Sequence, residues 1–352
     1  MNYGGIDHHK KSNRITVMDK DGHKIKKGTV PNDRGQLEQF FSTIPGPCSV
    51  VFESSRDWTV LYDHLADLVS EIHLANPYKT RIIAEAKIKT DKIDSEILAH
   101  LLRSNMISEA HIPSKEVQYI RYLLRQRLFF VRIRTMVKNR IHHLLDRNHL
   151  GQTVSDSFTD VFGKKGMEFM ADVKLPDSER KLLDGQLSLF KELDHLIEED
   201  DRRLRKLFDT DPRVKLVATI PGLGYLFAPL VVYEIDDINR FASPKKLHSY
   251  SRLAPSTHAS GEKCYHGRLV KAGNRYLSWA MVEAVWPAIR KEPALRQYFM
   301  KRRAKCGSNA AKIATARLLL TIVYRVLKEQ RPYRPGAIEQ SENDSRVALC
   351  RD

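Results

Sequence analysis

Cys48-Ser-Val-Val-Phe-Glu53 (CSVVFE) is a continuous apolar run that ends on an acid. A strand buried on both faces reads this way, whereas a half-solvated strand alternates apolar and polar residues. The run therefore predicts a central strand. Upstream, Tyr3–Asp7 and Arg14–Met18 are short β-branched or aromatic runs, Asp19–Gly22 (DKDG) is a hairpin turn, and Lys24–Val30 reads as a third strand. Leu37, Phe40 and Phe41 give Asp33–Thr43 helical spacing. Downstream come a helix from Trp58 to about Leu68, a strand at Glu71–Ala75 stopped by Asn76-Pro77, and helices near Tyr78–Ala86 and Thr90–Arg103. A three-strand meander followed by alternating helix and strand predicts a mixed α/β domain over residues 1–110.

From Pro113 the pattern changes. Ser114–Asn148 contains no Gly or Pro and carries apolar residues at Val117, Ile120, Leu124, Leu128, Val131 and Val137, which predicts one long helix. Its nine basic side chains face only Glu116 and Asp146. That one-signed charge suits contact with nucleic acid, at Arg125, Arg132 and Lys138 among others; a solvated helix face is the plainer alternative. After a less regular Gly151–Lys174, Asp177–Phe208 reads as a second long helix able to pair antiparallel with the first. Residues 111–209 thus form an expected coiled-coil arm. A mostly helical domain follows over 210–330, with a tight Gly turn at Ile220–Gly224 and an apolar helix at Ala310–Lys328. Residues 331–352 are rich in Pro, Ser and charge and are expected to be disordered.

The 352 residues include 59 Lys and Arg against 43 Asp and Glu, a net charge of +16 and a pI near 9.6. An excess of that size favours a polyanionic partner. No apolar run approaches the roughly 20 residues that span a bilayer, and the N-terminus lacks the pattern of a secretion signal. The expectation is a soluble cytoplasmic protein with nucleic acid, not membrane, as its partner. The four cysteines are scattered and form no CxxC pair, which argues against a zinc site or disulfide framework.

Four acids stand out by placement. Asp7 ends the first strand and Glu53 ends the apolar run, while Asp91 and Asp94 lie three apart at a helix start and can share a face. Asp91 and Asp94 also suit an ordinary first helical turn, and Asp7 a turn. An acid finishing a buried strand is costly unless paired or metal-bound. Together the four fit a ribonuclease-H/RuvC-like centre for divalent cations, and Mg²⁺ prefers such carboxylates.

Gly5-Ile-Asp-His-His-Lys, Val51-Phe-Glu-Ser-Ser and Lys89-Thr-Asp-Lys-Ile-Asp-Ser resemble the three acidic blocks of the Piv-like DEDD insertion-sequence transposases. Ile220-Pro-Gly-Leu-Gly, Phe241-Ala-Ser-Pro-Lys-Lys-Leu, Leu253-Ala-Pro-Ser-Thr-His-Ala-Ser-Gly and Lys271-Ala-Gly-Asn-Arg-Tyr-Leu extend the likeness, in order, across about residues 3–328. Ser95 departs from the Ala commoner in the third block. The resemblance implies a RuvC-like domain, an arm and a transposase domain. It implies Asp7, Glu53, Asp91 and Asp94 as Mg²⁺ ligands and a serine nucleophile, Ser260 or its competitor Ser256, that forms a phosphoserine link to DNA. It also implies a structured bridge RNA as guide, and a homo-oligomer with sites shared between protomers. Without it, Ser260-Gly261 reads simply as a turn. Lys263, Arg268, Lys271 and Arg275 surround the serine segment and suit phosphate contacts. Two rival readings are a Mg²⁺-dependent Holliday-junction resolvase using water and a nucleic-acid-binding scaffold without catalysis.

Overall fold

The computed structural model describes residues 1–55, 57–83, 91–260 and 263–335, without the side chains of 81–83, 91–93, 257–260 and 263–266. It divides into two compact units, Met1–Pro113 and Ser114–Asp352.

The first unit is built on a five-stranded sheet. Strands β1 (Asn2–His8), β2 (Ser12–Met18) and β3 (Lys24–Pro31) form the antiparallel meander; β4 (Cys48–Glu53) and β5 (Glu71–Ala75) continue it in parallel, in the order β3-β2-β1-β4-β5. β4 lies inside the sheet, as its apolar run predicts, with Val50, Val51 and Phe52 fully buried. Helices α1 (Arg34–Ser42) and α2 (Trp58–Leu65) cover one face, where Ile6, Ile15, Leu37, Phe52 and Leu61 share a core. After α3 (Pro77–Ile83), helix α4 (Asp91–Arg103) covers the other face, where Leu98 and Leu102 pack with Val51 and Ala75. α2 ends three residues earlier than expected from sequence, and the expected end of α3 near Ala86 lies outside the described residues.

Gly5 lets α4 settle on β1. A Cβ at Gly5 would overlap the Ser95 carbonyl oxygen and come within 2.5 Å of the Ala99 nitrogen and 3.0 Å of Leu98 Cβ. Ser95 is fully buried, and its hydroxyl lies 2.9 Å from the Thr16 hydroxyl on β2, so the departure from Ala at this position has a hydrogen-bond partner. At the far end of α4, Arg103 Nη1 donates to the Lys20 carbonyl in the β2–β3 turn. α4 therefore runs antiparallel to β1.

The second unit opens with α5 (Lys115–Arg147), α6 (Gly151–Ser157), α7 (Lys164–Asp172) and α8 (Asp177–Thr210), so the stretch read as irregular holds two short helices. Arg127 pairs with Asp201, Arg134 with Asp194 and Arg147 with Glu179. Partner numbers fall as α5 numbers rise, so α5 and α8 pack antiparallel. Val137, Ile141, Met170, Leu183 and Phe190 form a cluster at the free end of this helix pair.

The rest follows as α9 (Pro212–Ala218), α10 (Phe227–Ile235), α11 (Pro244–Tyr250), a hairpin of β6 (Pro255–Ser260) and β7 (Lys263–Leu269), α12 (Arg275–Lys291) and α13 (Pro293–Glu329). Its core gathers Leu230, Val231, Leu277, Ala284, Leu319 and Val323. α13 is two helical segments meeting at Gly307, whose φ of 79° and ψ of 170° suit glycine alone. Of the expected disordered tail, residues 336–352 lie outside the described residues. Among the described residues no helix is long and apolar enough to cross a membrane.

His248 on α11 is 6% exposed, and its Nε2 lies 3.0 Å from the Thr321 hydroxyl on α13. Burial, and then the nearby Arg317 charge, hold its pKa down to about 4. The unfolded chain gains a proton here below about pH 6.5 while the folded chain does not, so the stability contribution is complete above that pH and drains away toward pH 4. Between pH 7 and 5, wild type should lose about 2 kcal/mol more stability than His248→Gln. Parallel pH profiles of the two proteins in thermal unfolding would contradict this.

Candidate active site

β1 and β4 are parallel neighbours in register, with Ile6 beside Phe52, so the next pair outward is Asp7 and Glu53. Side chains alternate along each strand, which places Asp7 on the same sheet face as Gly5, and Glu53 on the same face as Val51. That is the α4 face. Because α4 is antiparallel to β1, its first turn reaches the edge where β1 and β4 end. The fold thus brings Asp7, Glu53 and the α4 positions Asp91 and Asp94 to one edge and one face. Asp94 is half-buried, and the Asp91 side chain lies outside the described residues.

Around these acids, Asp7 pairs across the β1–β2 ladder with Arg14, and its Oδ2 lies 3.1 Å from His9 Nε2. Two residues beyond Asp94, Glu96 is bonded by Lys24 at 2.8 Å and Lys27 at 3.5 Å. The Lys24 hydrogen bond leads the effects that hold the Glu96 carboxyl below its usual pKa. Glu96 is thereby tied to β3. Asp7, Glu53 and Asp94 carry hard carboxylate oxygens from three elements, a donor set that fits Mg²⁺.

A second acidic group lies at the opposite edge of the sheet. Asp19, Asp21 and His23 offer ligand atoms within 4.8 Å of one another in the β2–β3 turn. Asp19 Oδ1 accepts hydrogen bonds from the Asp21 and His23 backbone N–H groups at 2.9 Å, which is how an Asx turn closes a hairpin. This group is explained by its turn.

In the second unit, the two candidate serines lie on the β6 side of the hairpin. Ser260 ends β6 and pairs in register with Lys263. The side chains of Ser260, His258 and Lys263 lie outside the described residues. Ser256 sits where the β6–β7 register shifts, and its hydroxyl fills the space above Gly267, where a Cβ would collide with it. Arg268 near the end of β7 and Lys271 and Arg275 beyond the hairpin are exposed. Arg275 Nη2 donates to the Tyr276 hydroxyl at 2.9 Å.

On α5 the basic residues divide. Arg125 grips both carboxylate oxygens of Glu234 at 2.8 and 2.7 Å, and Glu234 is fully buried on α10. Burial is the largest single effect and opposes the charged guanidinium, but the Glu234 hydrogen bonds together with the Glu234 charge and the smaller effects of Tyr276 and Tyr250 outweigh it and raise the Arg125 pKa. Lys138 lies over the rings of Phe162 and Phe190 at 4.5 and 5.4 Å. Of the three α5 cations expected at nucleic acid, Arg132 alone is exposed and without an internal partner among the described residues.

Sequence reasoning passed over Glu234, although an acid near the end of the apolar run Phe227–Ile235 carries the same signal as Glu53 in CSVVFE. Asn274 Nδ2 reaches Glu234 Oε2 at 2.7 Å, and Asn274 Oδ1 caps α12 by accepting from the Tyr276 and Leu277 backbone N–H groups. Glu234 thus ties α5, α10 and the start of α12 together just after the serine hairpin.

Two family models match the chain: one described as "Transposase" over residues 4–150, the other as "Transposase IS116/IS110/IS902 family" over 214–300. The transposase for insertion sequence element IS1328 of Yersinia enterocolitica is 25% identical over 279 residues, 79% of this chain and 81% of the relative. The pilin gene-inverting protein of Moraxella bovis is 35% identical over 141 residues, covering 38% and 44%. The insertion element IS116 44.8 kDa protein of Streptomyces clavuligerus is 26% identical over 145 residues, covering 41% and 36%. The match therefore spans less than half of the latter two relatives and about four-fifths of the first. The two models fall in order on the acidic sheet and on the helices that flank the serine hairpin: the chain belongs to the IS116/IS110/IS902 family of transposases.

Proposed function

We propose that this chain is a DNA transposase or recombinase that cuts and rejoins strands through a phosphoserine intermediate. The observation that carries the reading is the convergence of Asp7, Glu53 and the first turn of α4 at one edge of the sheet. The strand order, with three antiparallel strands followed by two parallel ones, supports a RuvC-like domain. In this reading Asp7, Glu53, Asp91 and Asp94 hold Mg²⁺. When bound, the cation supplies charge neutralisation at the scissile phosphate.

The chemistry on the protein side is a serine hydroxyl attack. The Ser260 oxygen forms a bond to phosphorus as the bond from phosphorus to one DNA ester oxygen breaks; the serine proton passes to water, and the departing oxygen takes a proton from water to leave as a free DNA hydroxyl. Gly261 follows Ser260 and suits close approach to the strand. Lys263, Arg268, Lys271 and Arg275 hold flanking phosphates. A structured guide RNA and a homo-oligomer are the further partners proposed.

Labelled duplex DNA incubated with protein and Mg²⁺, then resolved on a denaturing gel, tests this directly. Wild type should give a covalent adduct, Ser260→Ala none, and Ser256→Ala an adduct at modestly reduced yield. Asp7→Asn and Glu53→Gln should abolish recombination while DNA binding persists, because each removes one ligand charge and leaves the basic surfaces intact. An adduct that survives Ser260→Ala but not Ser256→Ala moves the nucleophile. Cleavage by wild type with no adduct at any time replaces the serine mechanism with hydrolysis by a Holliday-junction resolvase.

A further inference from the structure

The basic side chains of α5 and those of α13 have opposite fates. Most α5 cations are matched by α8 acids, by Glu234 or by aromatic rings. Pro293–Glu329 instead carries nine basic residues and one acid, Glu329. Lys312 pairs with Glu283 and Lys328 Nζ donates to Asn239, but Arg296, Lys301, Arg303, Lys305 and Arg317 have no acidic partner among the described residues.

These cations gather where the helix bends. Residues 303–310, on both sides of Gly307, are exposed without interruption. No atom lies within 4 Å of where a Gly307 Cβ would stand, so the bend projects into open space. Lys301, Arg303 and Lys305 line the approach to it within about 6 Å of helix rise. Arg302 rests on the Tyr298 ring at 5.3 Å. Arg317, on the second segment, is half-buried and close enough to Arg302 for the two charges to repel. Burial and that repulsion outweigh the favourable effect of Tyr298 and lower the Arg317 pKa. Like charges held together without an acid are costly, and an anion seated between them removes the cost.

We infer that the Gly307 bend of α13 is a docking point for the phosphate backbone of duplex DNA, with Lys301, Arg303 and Lys305 as outer contacts and Arg302 and Arg317 as inner ones. Duplex DNA is the fitting occupant because five cations along one bend, with no acidic partner among the described residues, call for a dense polyanion, and a duplex presents one negative charge per roughly 1.7 Å of its axis. The inference rests on the proposal that this protein acts on DNA, and it adds contacts on α13 to those proposed for the serine hairpin.

The test is fluorescence anisotropy with full-length protein on a labelled 30-mer duplex across a salt series. Two triple variants are compared: Lys301→Gln/Arg303→Gln/Lys305→Gln, and a control of equal charge change, Lys181→Gln/Lys191→Gln/Lys206→Gln, at exposed positions of α8. The bend variant should flatten the slope of log K against log salt by between two and three, at about 0.9 per lost phosphate contact, and the control by less than one. Arg317→Met should flatten it by about one more. Equal slopes for the two triple variants would overturn the docking point while leaving DNA binding in place. A wild type that does not bind the duplex overturns the underlying reading as well. A loss seen with single-stranded RNA of the same length but not with the duplex overturns the choice of occupant.

Discussion

Replacing Arg125 with methionine should destabilise the protein by about 3 kcal/mol and leave its affinity for nucleic acid little changed at temperatures where it remains folded. Glu234 is fully buried, and without Arg125 its side chain keeps, among the described residues, Asn274 at 2.7 Å and the more distant Arg121 at 3.9 Å. Removing one partner from a buried ion pair typically costs about 3–5 kcal/mol, because the charge left behind remains desolvated. Asn274 and Arg121 keep the expected value at the lower end. Arg132→Met makes the contrast: an exposed substitution should shift stability by about 0.5 kcal/mol or less and should flatten the salt slope of DNA binding by about one. Urea unfolding and a salt titration of both variants decide the matter. If Arg125→Met flattens the slope and unfolds like wild type, Arg125 is a phosphate contact.

The second large effect lies at Gly5. A methyl group there meets the Ser95 carbonyl and the Ala99 nitrogen, which are backbone atoms and cannot rotate aside. Helix α4 must lift from the sheet, at a cost of about 3 kcal/mol or more. Asp94 travels with α4, so recombination should disappear even in cold conditions where the variant stays folded. The neighbouring Gly4→Ala meets mainly a valine methyl, Val50 Cγ1 at 3.0 Å, and should cost about 1 kcal/mol and retain activity. Equal melting temperatures for the two alanine variants would remove α4 from its place over β1.

The parts of the fold legible in the sequence are those set by local pattern. CSVVFE marked the central strand because a strand covered on both faces leaves no polar alternation. The long helices declared themselves by unbroken apolar spacing. What stayed hidden depends on distant partners. Nothing local distinguishes Arg125 from Arg132; the difference is made by Glu234, 109 positions away. The β6–β7 hairpin that carries Ser256 and Ser260 falls in a region whose sequence predicts mostly helix, since His258, Lys263 and Gly267 weaken any strand pattern. Asp7 and Glu53 could be picked out as strand-ending acids, but their adjacency follows from the β1–β4 register, which a one-dimensional reading does not supply.

The seating of α4 on Gly5 also sets an order of events during synthesis. The residues of β1 to β3 are all present once residue 31 has been made, and those of β4, which sets Glu53 beside Asp7 in the finished sheet, once residue 53 has. The helix that covers them does not exist until residue 103. At roughly 5–20 residues per second, the fifty residues between Glu53 and Arg103 take about 3–10 s to add. Throughout that interval α4 is not yet available to cover the sheet face on which the finished protein carries Asp7 and Glu53. A chain interrupted before α4 therefore lacks the element that packs on Gly5 and carries Asp94.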